Sequence, residues 1–217
     1  MKPWLLYWIK KNAGGGSGSG VNWSEIGYEE EPAVIKRDFD YAKNIIENWD
    51  DSVTTLKSKF ENNKNIVYMP LVDTSNVTNM EFMFTSCSNL TTVPLLNMSN
   101  VTSARSMFEA CIRLFSISLL DIRNVTDARA MFRGCSSLVD VPLFDISSVT
   151  SIQSMFSGCP NLSNESLNNI LAMCVGATSF AGTKTLLTLG LSQTQATTCQ
   201  TLSNYQAFLD AGWTTGY

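Results

Sequence analysis

Residues 72–95 read VDTSNVTNMEFMFTSCSNLTTVPL, and residues 144–162 read FDISSVTSIQSMFSGCPNL, the same pattern with small changes. Between them the pattern occurs twice more, always at a step of 24 residues. Cys87, Cys111, Cys135 and Cys159 share one position of it. Met83-Phe84, Met107-Phe108, Met131-Phe132 and Met155-Phe156 share another. Val53, Val77, Val101, Val125 and Val149, each followed by threonine, extend the register to a fifth unit, as do Ile66, Leu90, Leu114, Leu138 and Leu162. A single-core globular fold has no need of such a register. A solenoid does, because each unit stacks its apolar side chains on those of the unit before. The expectation is an α/β repeat solenoid, leucine-rich-repeat-like, of five 24-residue units over residues 49–163.

Two periods alternate within each unit. Val77, Met80, Phe84 and Cys87 are spaced 3, 4 and 3, which predicts one face of a short helix or helical turn. Leu90, Val93 and Leu95 then follow the L-x-x-L-x-L spacing of a leucine-rich-repeat strand. Val77, Met80, Phe84, Leu90, Val93 and Leu95, with their equivalents, are the predicted core. Asp73, Asn97, Asp121 and Asp145 share the turn position, where their side chains can bond the backbone.

On the N-terminal side, residues 33–49 carry Ile35, Phe39, Ala42, Ile46 and Trp49 at steps of 4, 3, 4 and 3, an amphipathic helix after Glu29-Glu30-Glu31-Pro32. Residues 21–48 therefore read as a helical N-terminal cap. After Ser163 the repeat fails, and residues 164–217 read as an α+β C-terminal cap. Its predicted parts are a helix over 164–175 capped by Ser163 or Asn164, a strand over Lys184–Leu189, and short helices over 193–202 and 203–211. At the other end, residues 1–12 are aromatic and basic, with Trp4, Leu5, Leu6, Tyr7, Trp8 and Ile9 among three lysines and no acid. A Gly/Ser-rich linker follows over 13–20, its seven-residue core Gly14–Gly20 spanning roughly 15 Å as a flexible coil. The pattern reads as a docking peptide on a tether, with the six apolar residues as partner anchors. The alternative is an engineered tail, since Gly/Ser runs are also written by design. One short apolar patch with three lysines binds bilayers only marginally, which ranks membrane insertion behind protein docking.

Composition narrows the function. The 217 residues are 44% apolar and 16% charged, with net charge −4 and a pI near 4.8. That balance argues against nucleic acid, whose phosphates attract basic surfaces. The absence of histidine removes the usual general base and the commonest metal ligand. No stretch approaches the ~20 apolar residues of a membrane span. No phosphate-binding glycine loop, nucleophile elbow or zinc-type cysteine pair occurs. No catalytic, cofactor-binding or metal-ligating residue is assigned, and no cofactor is implied. The four in-register cysteines predict a buried column of reduced thiols, with disulfides between adjacent units as the alternative. Triplets such as Asn76-Val77-Thr78 match glycosylation acceptors but recur because the repeat recurs, and read as structural.

The units at 72–95 and 144–162 resemble the BspA-like leucine-rich repeats of bacterial and protist surface proteins. The likeness covers residues 49–163, with Asn63 standing at the cysteine position of the first unit and Ser118 where Pro70, Pro94 and Pro142 stand. It implies surface attachment and binding of protein or matrix, and no enzymatic activity. The layout, together with the closing Gly-Trp-Thr-Thr-Gly-Tyr, also resembles accessory virion proteins of tailed phages from gut bacteria. The expectation is a non-enzymatic structural or adhesive protein. It would be anchored to a virion structural protein through residues 1–12, would contact host surface glycan or protein, and would be open to homo-oligomerisation. The alternative is a bacterial cell-surface adhesin.

Two stripes are candidate binding surface. Val72, Leu96, Leu120 and Phe144 lie beside the strands. If alternation holds through Pro94-Leu95-Leu96, Leu95 points in and Leu96 points out; if the chain turns there, the four are core. Glu81, Arg105, Arg129 and Gln153 form the second stripe, with Glu81 expected beside Arg105. Arg105, Arg113, Arg123, Arg129 and Arg133 make either a mild basic patch or a solvated face.

Overall fold

The computed structural model describes residues 44–45, 48–67, 69 and 72–217. The predicted docking peptide, the predicted linker and nearly all of the predicted N-terminal cap lie outside the described residues. The chain divides into two compact units, Met1–Trp49 and Asp50–Tyr217. The second unit holds the repeats and the C-terminal cap.

Residues 50–163 form a ladder in which each 24-residue unit pairs with the next. Parallel bridges run Thr55–Asn79–Ser103–Asp127–Ser151, with a separate bridge between Ser116 and Asp140. Among the described residues these are isolated bridges rather than continuous strands. The predicted helical turn is not a helix either. Around Phe84 the backbone N–H groups alternate. Those of Phe82, Phe84 and Ser86 donate to the carbonyls of Arg105, Met107 and Glu109 in the next unit. Those of Met83, Thr85 and Cys87 close turns onto Met80, Phe82 and Phe84 in their own unit. An α-helix spends every N–H on the residue four back, so this alternation excludes one. The alternation requires left-handed residues at four-residue intervals: Ser58 and Asn62, Phe82 and Ser86, Ser106 and Ala110, then Ala130 and Gly134, and Ser154 and Gly158. The 3-4-3 apolar spacing is shared by both geometries.

The core is a set of columns along the ladder. Phe60, Phe84, Phe108, Phe132 and Phe156 stack with centroids 5.5–5.6 Å apart and planes within 10°. Cys87, Cys111, Cys135 and Cys159 are buried free thiols, so the reduced column is the one present. Each Sγ donates to the carbonyl of the phenylalanine 27 residues earlier, at 3.0–3.1 Å. Val77, Met80, Leu90 and Val93 are buried as predicted. Leu95 is not, being 60% exposed, and its equivalents Leu119 and Leu143 are 59% and 51% exposed. Pro94 has no N–H to give to a ladder. The chain spends two residues, Pro94 and Leu95, on its outer side before Leu96 and Met98 return inward. Ser118 replaces the proline in the next unit and keeps the same path, its hydroxyl donating to the Val93 carbonyl at 3.2 Å.

Four helices complete the unit. α1 (Asn164–Gly176) starts at Ser163, whose side chain accepts from the Ser166 N–H, and buries Leu167, Ile170, Leu171 and Cys174. α2 (Leu186–Leu189) occupies the stretch read as a strand. Only Thr185 pairs there, with Thr214; its hydroxyl accepts from the Thr188 N–H and so starts a helix instead. α3 (Gln193–Cys199) opens on a Ser192–Gln195 capping box, and α4 (Tyr205–Asp210) completes the set.

This C-terminal segment takes the hydrogen-bonding place of a sixth unit. In the preceding units Ala130 and Phe132 donate to Gln153 and Met155; in the last one Ser154 and Phe156 donate to Thr188 and Leu189 of α2. Gly190 makes the approach feasible. Its φ is +86°, and an added Cβ would lie 2.6–2.8 Å from Ser157. Gln195 Nε2 fastens α3 to the Cys159 carbonyl at 2.8 Å.

Candidate interaction surface

Leu95, Leu119 and Leu143 stand at one register of three successive units and form an exposed leucine ridge. Beside it lies an open groove of about 560 Å³, lined by the ridge itself with Leu96, Leu120, Met98 and Ile122 beneath, and by Asp121, Arg123 and Asp145 at the side. The turns after the ridge are held by their own side chains. Asn97 Oδ1 accepts from the Ser99 N–H and Asp145 Oδ1 from the Ser147 N–H, at 3.1 and 3.0 Å. Hydrogen bonds from the Ser147 hydroxyl and N–H hold the Asp145 carboxyl below its ordinary pKa. At the middle turn Arg123 pairs with Asp121 at 2.8 Å, both well exposed.

The predicted stripe of Val72, Leu96, Leu120 and Phe144 is therefore corrected. Leu96, Leu120 and Phe144 are 1–2% exposed, Val72 is half-buried, and Phe144 stacks 6.1 Å from Phe132. The alternation assumed for a strand does not hold, because the segment does not pair as one. The true exposed positions lie one residue earlier. The signal that locates them is the pair of prolines: where a unit cannot pair its backbone, strict alternation is not available.

The charged stripe also departs from expectation. Glu81 pairs with Lys57 at 2.7 Å rather than with Arg105, and Arg105 lies 5.6 Å from the Phe82 ring centroid. Arg123, Arg129 and Arg133 are each matched by a carboxylate, Asp121, Asp127 and Glu109. Partial burial pushes the Asp127 carboxyl up, and the hydrogen bonds and charge of Arg129 outweigh it, leaving the group below its ordinary range. With the acids interleaved, the arginines do not add up to a basic field, and the face reads as solvated.

The buried thiols are chemically quiet. Burial pushes Cys87 and Cys159 up to about 12, and holds Cys111 and Cys135 well above the ordinary thiol value. At neutral pH they are protonated, while the thiolate is the nucleophile and the metal ligand. Among the described residues no group of histidine, cysteine or carboxylate side chains is placed to hold a metal ion. No described helix is long and apolar enough to cross a membrane. The predicted partner anchors Trp4, Leu5, Leu6, Tyr7, Trp8 and Ile9 lie outside the described residues.

Residues 33–139 match a family described as Mycoplasma protein of unknown function, DUF285. That match is compatible with a BspA-like repeat protein. No curated protein and no solved structure matches the chain.

Proposed function

We propose that this protein works by contact rather than by chemistry. It is a leucine-rich-repeat-like solenoid of five units, closed by α1–α4, and its role is structural or adhesive. The observation that carries the reading is the leucine ridge. Three large apolar side chains at the same register of successive units, all more than half exposed, are surface that a partner covers. The protonated, buried thiols support the non-enzymatic side of the reading, since burial takes these four nucleophiles out of use.

The place of work in this reading is a tailed-phage virion. Residues 1–12 anchor on a virion structural protein, the Gly/Ser run frees the repeat domain from the anchor, and the domain faces host surface glycan or protein. The aromatic peptide followed by a Gly/Ser-rich run supports this, because Trp and Tyr are the residues that most often anchor interfaces. The test is mass spectrometry of purified virions, with host attachment measured for the wild type and for a Leu95→Ser, Leu119→Ser, Leu143→Ser triple variant. The expected results are stoichiometric protein in the particle and reduced attachment by the variant. Particles devoid of the protein sink the virion role, and undiminished attachment sinks the ridge. The resemblance of the repeats to BspA-like surface proteins, with which the family match is compatible, supports a second reading, a bacterial cell-surface adhesin. Cell fractionation separates the two, since an adhesin fractionates with the envelope of uninfected cells.

A further inference from the structure

We infer that the leucine ridge is the seam of a homodimer, covered by a second copy of this chain across a two-fold axis at Leu119. The inference rests on the reading of the ridge as an interaction surface and names its occupant; other exposed surface is left for further partners.

The first support is shape. A ridge and a groove lie side by side on one face, the groove floored by Leu96 and Leu120. Under a two-fold rotation both copies present this same apolar face, so each covers the exposed leucines of the other. The second is register. The ridge has three leucines separated by one unit each, about 5 Å per step at the spacing of paired backbones. Rotation about Leu119 sets that residue against its own copy and exchanges Leu95 with Leu143, so leucine meets leucine at every step. Phe115, 53% exposed in the same unit as Leu119, concentrates further apolar surface in the unit that holds the axis.

The third support is charge. The turn beside Leu119 carries both signs, Asp121 and Arg123, whereas the turn beside Leu95 carries neutral Asn97 and the turn beside Leu143 carries Asp145. Rotation brings Arg123 of each copy toward Asp121 of the other, closing a ring of two acids and two bases around the axis. It also sets Asp145 opposite the neutral Asn97, so the outer turns meet without like charges facing. A partner of one uniform sign would leave one member of the Asp121–Arg123 pair opposed.

The test is sedimentation velocity on the full chain over a range of concentrations. The expected species is twice the 23.9 kDa chain. Leu119→Asp, at an exposed site that the dimer uses twice, is expected to weaken association by at least about tenfold, with an unchanged circular dichroism melt. Asp121→Lys and Arg123→Glu are each expected to weaken it alone, and mixing the two variants is expected to restore a heterodimer, because both cross-pairs then have opposite signs. This arm does not depend on Leu119→Asp folding. A wild-type monomer at every concentration overturns the dimer. A dimer indifferent to Leu119→Asp, or variants that fail to reassociate on mixing, overturns the seam. If the chain is monomeric while the triple serine variant still loses attachment, only the dimer falls and the interaction surface stands.

Discussion

Phe108 has a ring neighbour on each side, Phe84 and Phe132, both at 5.5 Å and nearly parallel, and it is fully buried. Truncating it removes apolar burial and leaves a cavity that the two flanking rings cannot close while their own units are pinned. Phe108→Ala is expected to cost about 3–5 kcal/mol in denaturant melts, weakening the contact on both sides. A loss under about 1 kcal/mol would mean the column is not the packed core. The thiols give a second prediction at this scale. Burial raises the Cys87 and Cys159 pKa from 9.0 to about 12. The unfolded chain therefore loses protons first as pH rises. Their contribution to stability is complete below pH 9 and is lost between 9 and about 12. Melts at increasing pH are expected to show stability falling through that window, and Cys87→Ala with Cys159→Ala to flatten the fall. The cysteine and phenylalanine columns were legible in the sequence because each occupies one register and has one destination, the core. Leu95 and Leu96 were not, because both are apolar and only the path of the backbone past Pro94 decides which of them faces water.

At the scale of elements, the sequence shows which stretches are periodic but not which hydrogen bonds they make. Val77, Met80, Phe84 and Cys87 fit a helix by spacing. The ladder overrides that choice, since each N–H that reaches the next unit adds to the stack while an isolated turn of helix is unstable. Left-handed backbone at Phe82 and Ala130 costs about 1–2 kcal/mol per residue, and the flanking ladder bonds hold it in place. α1 was legible to within a residue, because Ser163 begins an apolar-periodic run and provides its own cap. α2 was not, since Thr185 can start either a strand or a helix and Gly190 permits the close approach that selects the helix. The joint between ladder and α1 rests on Ser166. Its Oγ accepts from the Val141 N–H and donates to the Val139 carbonyl, both at 2.8 Å. Ser166→Ala leaves two backbone groups beside α1 without that partner and is expected to cost about 1–3 kcal/mol. Ser163→Ala, which removes the cap and a hydroxyl contact to Ser166 at 3.1 Å but leaves Val139 and Val141 bonded, is expected to cost about 1 kcal/mol. Chemical denaturation of the two variants checks the order; equal losses would show that Ser166 acts through the cap alone.

For the whole molecule, stability and assembly are expected to separate. Asp50–Tyr217 is a compact unit in its own right, with its last repeat satisfied by Thr188 and Leu189. Residues 1–12 precede a glycine-rich run. From its composition such a run is expected to transmit little order, so the peptide is not expected to stabilise the ladder through the chain. Its six consecutive apolar residues, Trp4 to Ile9, are a poor surface to leave in water, and the proposed virion role gives them a partner. Deleting residues 1–12 is therefore expected to leave the circular dichroism melt unchanged and to abolish incorporation into the particle. Replacing only Trp4 and Trp8 by serine is expected to give most of the same loss, since large aromatic anchors carry a disproportionate share of interface energy. Occupancy measured by mass spectrometry on purified particles distinguishes the outcomes. Wild-type occupancy of the truncated chain would make the peptide a passive tail and move the attachment point onto the repeat domain. A lowered melt with normal occupancy would instead make residues 1–12 part of the fold.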